Sequence, residues 1–174
     1  MSNWIYKVFL LTLFLSAIFS VVINFITREA NIIITLILII VIMIIAFIFD
    51  MIATSALTSE EASFHAKNSK KVKGAKESLW IIKNNVKVVS ICSDVIGDIL
   101  GIASGALGAV LAIEFSQTME FSLVISSIIV ASFISAFTVG GKAICKEIAV
   151  RKSDKIIFRF GKVIYFFKFK KKKK

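Results

Sequence analysis

The sequence predicts an all-α integral membrane protein with four transmembrane helices, a cytoplasmic helical hairpin and a basic amphipathic C-terminal segment. Three observations carry this. The 174 residues are 57% hydrophobic, with a mean hydropathy of +0.88, whereas soluble domains average about 45–50% apolar. The apolar residues are gathered into runs, several of them near the roughly 20 residues that a bilayer crossing needs. Proline is absent, so nothing forces a break inside a helix.

The first span runs from Trp4 to Ile26, WIYKVFLLTLFLSAIFSVVINFI. No small-residue cleavage site follows it, which favours an uncleaved helix over a signal peptide. Residues 1–30 thus form an extra N-terminal helix, tied by TREAN to a domain over residues 31–150. The second span, residues 31–50, NIIITLILIIVIMIIAFIFD, is the most apolar stretch and ends at Asp50. MIATSALTSEEAS continues it in helical phase toward the interface. Residues 58–87 are mixed and basic, and Gly74 suggests a turn between two short helices. Leu79, Trp80, Ile81 and Ile82 make a patch suited to the interface, so this hairpin is expected on the membrane surface. The third span covers residues 88–113, EFSQTMEF forms an acidic loop, and the fourth span covers residues 121–139. In residues 151–174 apolar and basic groups alternate, as in a helix lying among lipid headgroups. The lysine end attracts anionic lipid, while the phenylalanines suit a lipid-facing stripe better than a base-stacking platform. Nucleic acid is not the expected partner.

The net charge of +11 is unevenly spread. Thirteen of the 22 basic residues lie from Lys142 onward and seven lie between Lys67 and Lys87. Basic loops stay inside, so both clusters and both termini are expected in the cytoplasm of a multi-pass cell-membrane protein. Glu114 and Glu120 then fall outside. Cys92 and Cys145 match no metal or redox spacing, and His65 lies in the hairpin as a solvated group. No phosphate loop, nucleophile elbow or Cys/His cluster occurs, so enzyme chemistry has no foothold.

The informative residues are acids inside apolar runs. A carboxylate at the bilayer centre costs about 2.5–3.5 kcal/mol even on translocon scales, yet the third span contains Asp94 and Asp98. With Gly101 and Gly105 they are spaced four, three and four, which places them on one face of an α-helix. Gly97, Gly101 and Gly105 make a GxxxGxxxG ladder that lets another helix approach. The acids are therefore expected to point into the bundle. Asp50 either marks the membrane boundary or, since MIATSAL follows it without a charge, lies at depth facing Asp98. Three carboxylates in one cavity repel unless a cation, a proton or Lys142 compensates, and such an oxygen-rich cavity suits Mg²⁺ or another divalent cation. Ser55, Ser93 and Ser104 are candidate neutral ligands. The alternative is a structural network, with Lys142 as an internal counter-ion.

These features, in this order, resemble the CNNM/CorC transmembrane domain over Leu36–Phe167. The resemblance is carried by Gly74-Ala75-Lys76 with Leu79, and by CKEIA at 145–149, where that family reads PKsiA. It implies divalent cation transport; alternating access would then need a homodimer or another bundle partner, since four helices leave little room for two gates. It also aligns Asp50 near a family hydroxyl ligand, Ala53 near a family glutamate, and Gly97-Asp98 with a Gly-Asn motif. In the third motif Lys142 replaces the liganding glutamate and Cys145 the proline. The family's nucleotide-binding CBS pair has no counterpart here, so transport without nucleotide regulation is expected. The competing expectation is a non-transporting membrane module that binds a partner protein or anionic lipid.

Overall fold

The computed structural model describes residues 2–27 and 31–171. Every regular element among them is helical: α1 (Ser2–Thr27), α2 (Ile32–Thr58), α3 (Glu61–Ser69), α4 (Ala75–Lys83), α5 (Asn85–Val89), a π-helical segment (Ser90–Gly97), α6 (Asp98–Met119), α7 (Leu123–Arg151) and α8 (Ser153–Lys171). Four stretches are long and apolar enough to cross a membrane: Ile5–Phe25, Ile32–Thr58, Asn85–Met119 and Leu123–Arg151. Most of the TREAN connection and the last three lysines lie outside the described residues.

Three boundaries differ from the sequence expectation. Most of EFSQTMEF is helix, because α6 runs on to Met119 and the chain turns only at Glu120, whose φ is 56°. The fourth helix does not stop at Gly140 and Gly141 but continues to Arg151. A glycine costs about 1 kcal/mol relative to alanine in a helix, which is too little to end a 29-residue helix that contains no proline. The third difference is the π-helix inside the third span. There the bonds run i→i+5 over residues 90–97.

The chain divides into two compact units. The first draws on α1, α2 up to Phe47, residues 95–119 and α7 up to Lys142. Its core is Ile39, Ile42, Met43 and Ala46 against Leu100, Ala103 and Leu107, with Ile23 of α1 added. Both main rows follow helical spacing. Small residues permit the close approaches: the Phe47 ring seats against Gly141, and a Cβ on Gly108 would lie 2.5 Å from Ile134 Cδ1. Most of the outward side chains of α1, such as Phe9, Leu13, Phe14 and Phe25, are apolar and exposed, as a lipid-facing helix requires.

The second unit holds α3, α4, α5, the remaining parts of α2 and α7, the start of the π-segment and α8. Phe64 and Ile157 are fully buried and Ile81 nearly so; each contributes about 1.5–3 kcal/mol through removal from water. The expected turn at Gly74 is present, with φ at 88°. Gly74 is needed twice over, since a Cβ there would also meet the Lys162 backbone at 2.8–2.9 Å. Ser78 Oγ donates back along its own helix to the Gly74 carbonyl at 2.8 Å and across the seam to the Ile157 carbonyl at 3.1 Å. At the start of α8, Asp154 Oδ2 accepts from Ser63 Oγ at 2.7 Å and Oδ1 accepts from the Glu60 amide at 3.2 Å. The hairpin and the basic tail, which the sequence suggested as separate surface pieces, therefore share one core, with α8 packed on α4.

Candidate functional site

The polar centre of the second unit is Asp50. The apolar run of α2 delivers it into the protein, and the helix continues eight residues further to Thr58, or about 12 Å at 1.5 Å per residue. Its neighbours Ile52, Ala53 and Ala56 are buried against Val88 and Cys92, and the Asp50 residue itself is only 2% exposed. A carboxylate so enclosed needs donors. Ser93 provides one: its hydroxyl donates to Asp50 Oδ1 at 2.7 Å, a short bond of the charge-assisted kind. Ser93 belongs to the π-helical segment. Such segments are rare and frequently accompany functional sites.

The second oxygen is treated differently. Asp50 Oδ2 is buried and accepts no hydrogen bond. Lys146 Nζ lies 3.8 Å away, with the lysine side chain 56% exposed and that of Asp50 3% exposed. This distance permits attraction but exceeds hydrogen-bond range. Nearby, the buried Ser55 hydroxyl donates to the Ala149 carbonyl at 3.4 Å, a link between α2 and α7.

Of the residues singled out in the sequence, the structure brings together Asp50 and Ser93. The others are placed differently. Asp94 and Asp98 are exposed on the single chain rather than sequestered among its helices. The expectation of an inward acidic face is thereby corrected: Gly105 is exposed with them and Gly101 is open beside it, so the counted face exists as expected but is turned outward on the single chain. Ser104 is buried but spends its hydroxyl on the Gly101 carbonyl at 2.8 Å. Lys142 and Asp98, both in the first unit, form no ion pair; the counter-ion role falls to Lys146, one turn further along α7. Among the described residues no three His, Cys, Asp or Glu side chains converge as a metal cluster would. The sequence reading used Lys146 only as part of CKEIA. Its position one turn beyond Lys142 was the available signal for a charge partner, whereas nothing in local propensity marked the π-helix.

No family model, curated protein or solved structure matches the chain. The chemistry of the site must be taken from its own groups: one carboxylate, one hydroxyl that fixes it, and one mobile ammonium. Such a set can hold a cation at Oδ2. Outside the spans, His65 is exposed and bonds Glu61 at 2.9 Å, while Lys83 lies 3.4 Å from the same oxygen. The hydrogen bonds from His65 and then Lys83 hold the Glu61 carboxyl below its usual range.

Proposed function

We propose that the chain is a multi-pass membrane protein that binds and conducts a hard cation of the Mg²⁺ type, with Asp50 as the binding carboxylate. The carrying observation is Asp50 Oδ2, a buried carboxylate oxygen inside a membrane-length helix that accepts no hydrogen bond. An ionisable group in such a place most often marks an ion path. A single acidic ligand is compatible with Mg²⁺, which keeps several waters and commonly uses only one or two carboxylates. Ser93 holds Oδ1 and aims the free oxygen. Lys146 occupies the position in front of that oxygen as a tethered cation, and a side chain 56% exposed is free to swing aside when an ion enters.

The resemblance to the CNNM/CorC domain supports this reading, because Asp50 aligns near that family's first-helix ligand. A homodimer belongs to the proposal. Asp98 is exposed, and a Cβ on Gly101 or Gly105 would meet nothing within 4 Å. Carboxylates in a span do not face lipid chains, so a second copy is proposed to cover this face. Cytoplasmic termini belong to the proposal too, and the basic clusters support them.

One observation favours a second reading. The Lys146–Asp50 pair already balances the buried charge, as in a non-transporting module that binds a partner protein or anionic lipid. Mg²⁺ uptake into proteoliposomes decides between them. Uptake by the wild type that drops to the empty-vesicle rate in Asp50→Asn supports transport. Equal uptake in both, or none in either, rejects it.

A further inference from the structure

α8 has three sides, each marked by a four-and-three spacing. Ile157, Gly161 and Ile164 form the side that packs toward α4. Lys155, Arg159 and Lys162 form a second, exposed and cationic side. Val163 and Phe167 form the third, beside Phe160, which is itself half-buried against the core. On it Val163 is 48% exposed and Phe167 69%, and Phe166, at the outer edge of the cationic row, is also 69% exposed. Packing thus takes the Ile157 side with Phe158 and Phe160 at its flanks, and leaves Val163, Phe166 and Phe167 with the cationic row facing outward. The one acid in the segment, Asp154, is occupied by Ser63 and the Glu60 amide. Residues 151–174 carry eleven Lys or Arg against that single acid.

We infer that the exposed apolar side of α8 inserts into the headgroup boundary of an anionic leaflet, with the cationic side lying among the phosphates. Two observations favour lipid over a protein partner. The charge complements an anionic surface. In addition, α8 begins at Ser153, just after α7 ends at Arg151, and α7 is long and apolar enough to cross the bilayer. The face therefore emerges beside the membrane. An apolar stripe bordered by cations is the pattern of helices that lie in the interface. This inference is independent of cation transport.

The test uses the full chain with Cys92→Ser and Cys145→Ser, placed one copy per nanodisc. Single cysteines at Phe167→Cys or Lys155→Cys carry an environment-sensitive fluorophore. In discs containing phosphatidylglycerol, the label at 167 should shift to the blue and be quenched by nitroxides on the lipid chains. The label at 155 should remain hydrated and serves as the internal control. Replacing the anionic lipid with phosphatidylcholine, or introducing Arg159→Gln with Lys162→Gln, should weaken insertion. The expected loss is about fivefold for each cation removed. A hydrated label at 167 in anionic single-copy discs overturns the inference. So does a label that becomes protected only when two copies share a disc, since a second copy would then be the occupant.

Discussion

The two contacts of Asp50 are unequal, and the inequality can be measured. Ser93→Ala removes a 2.7 Å bond to a buried carboxylate oxygen. Hydrogen bonds to charged groups contribute about 1.5–3 kcal/mol, and leaving a buried acceptor unsatisfied places the cost toward the upper end. Lys146→Met removes a charge 3.8 Å away. Coulomb attraction there would be about 4 kcal/mol at an effective dielectric of 20. The ammonium, however, belongs to a side chain 56% exposed. Screening and the entropy of a long side chain reduce exposed pairs to about 0.2–1 kcal/mol. Ser93→Ala should therefore destabilise the protein at least twice as much as Lys146→Met. Unfolding in mixed micelles of dodecyl sulfate and maltoside, followed by circular dichroism, gives both values. Double-mutant cycles with Asp50→Asn then isolate each coupling. A Lys146→Met cost equal to or larger than that of Ser93→Ala would refute the assignment of Ser93 as the principal anchor of Asp50.

Gly161→Ala should cost about 1–3 kcal/mol in the same titration, because its Cβ would meet the Gly74 carbonyl oxygen at 2.7 Å and the Ser78 nitrogen at 2.9 Å, neither of which yields easily; unchanged stability would disprove the tight α4–α8 seam. Glu61 is held below its usual range in the folded chain, so its contribution is present above the unfolded carboxyl range, about 4.3, and is lost as pH falls through the lower folded value. Amide protection in α3, taken relative to the intrinsic exchange rate at each pH, should fall over that interval in the wild type, and Glu61→Gln should remove the fall. Gly105→Leu should leave the single-chain fold intact, since a Cβ there meets nothing within 4 Å, but should lower the dimer population in single-molecule photobleaching. An unfolded variant, or a dimer population left unchanged, would contradict a homodimer through this face.

The four long helices were legible because burial in lipid and in protein demand the same thing, uninterrupted apolar runs, and the chain has no proline to confuse them. The turn at Gly74 was legible because a left-handed backbone selects glycine. Asp50 and Ser93 were both identified, the first because a carboxylate following NIIITLILIIVIMIIAFIF is costly at depth. Their pairing was not, since it depends on the π-helix, and a single change in hydrogen-bond register leaves no compositional trace. Asp94 and Asp98 do share an open face with Gly101 and Gly105, as α-helical counting expects, but counting cannot say whether such a face turns into its own chain or away from it. The choice of Lys146 over Lys142 followed from the third dimension: both lie on the same helix one turn apart, and only the position of α2 beside α7 distinguishes them. The amphipathic character of the tail is legible in its alternation of apolar and basic groups; its packed side is visible only once α4 is in place.

The most direct test of the Asp50 site is a high-resolution cryo-electron microscopy structure of the protein in nanodiscs with excess Mg²⁺. Density about 2.0–2.1 Å from Asp50 Oδ2, with Ser93 still on Oδ1 and the Lys146 ammonium withdrawn, is the expected result. Lys146 remaining against Asp50, with no ion density at any Mg²⁺ concentration, would contradict a cation site there.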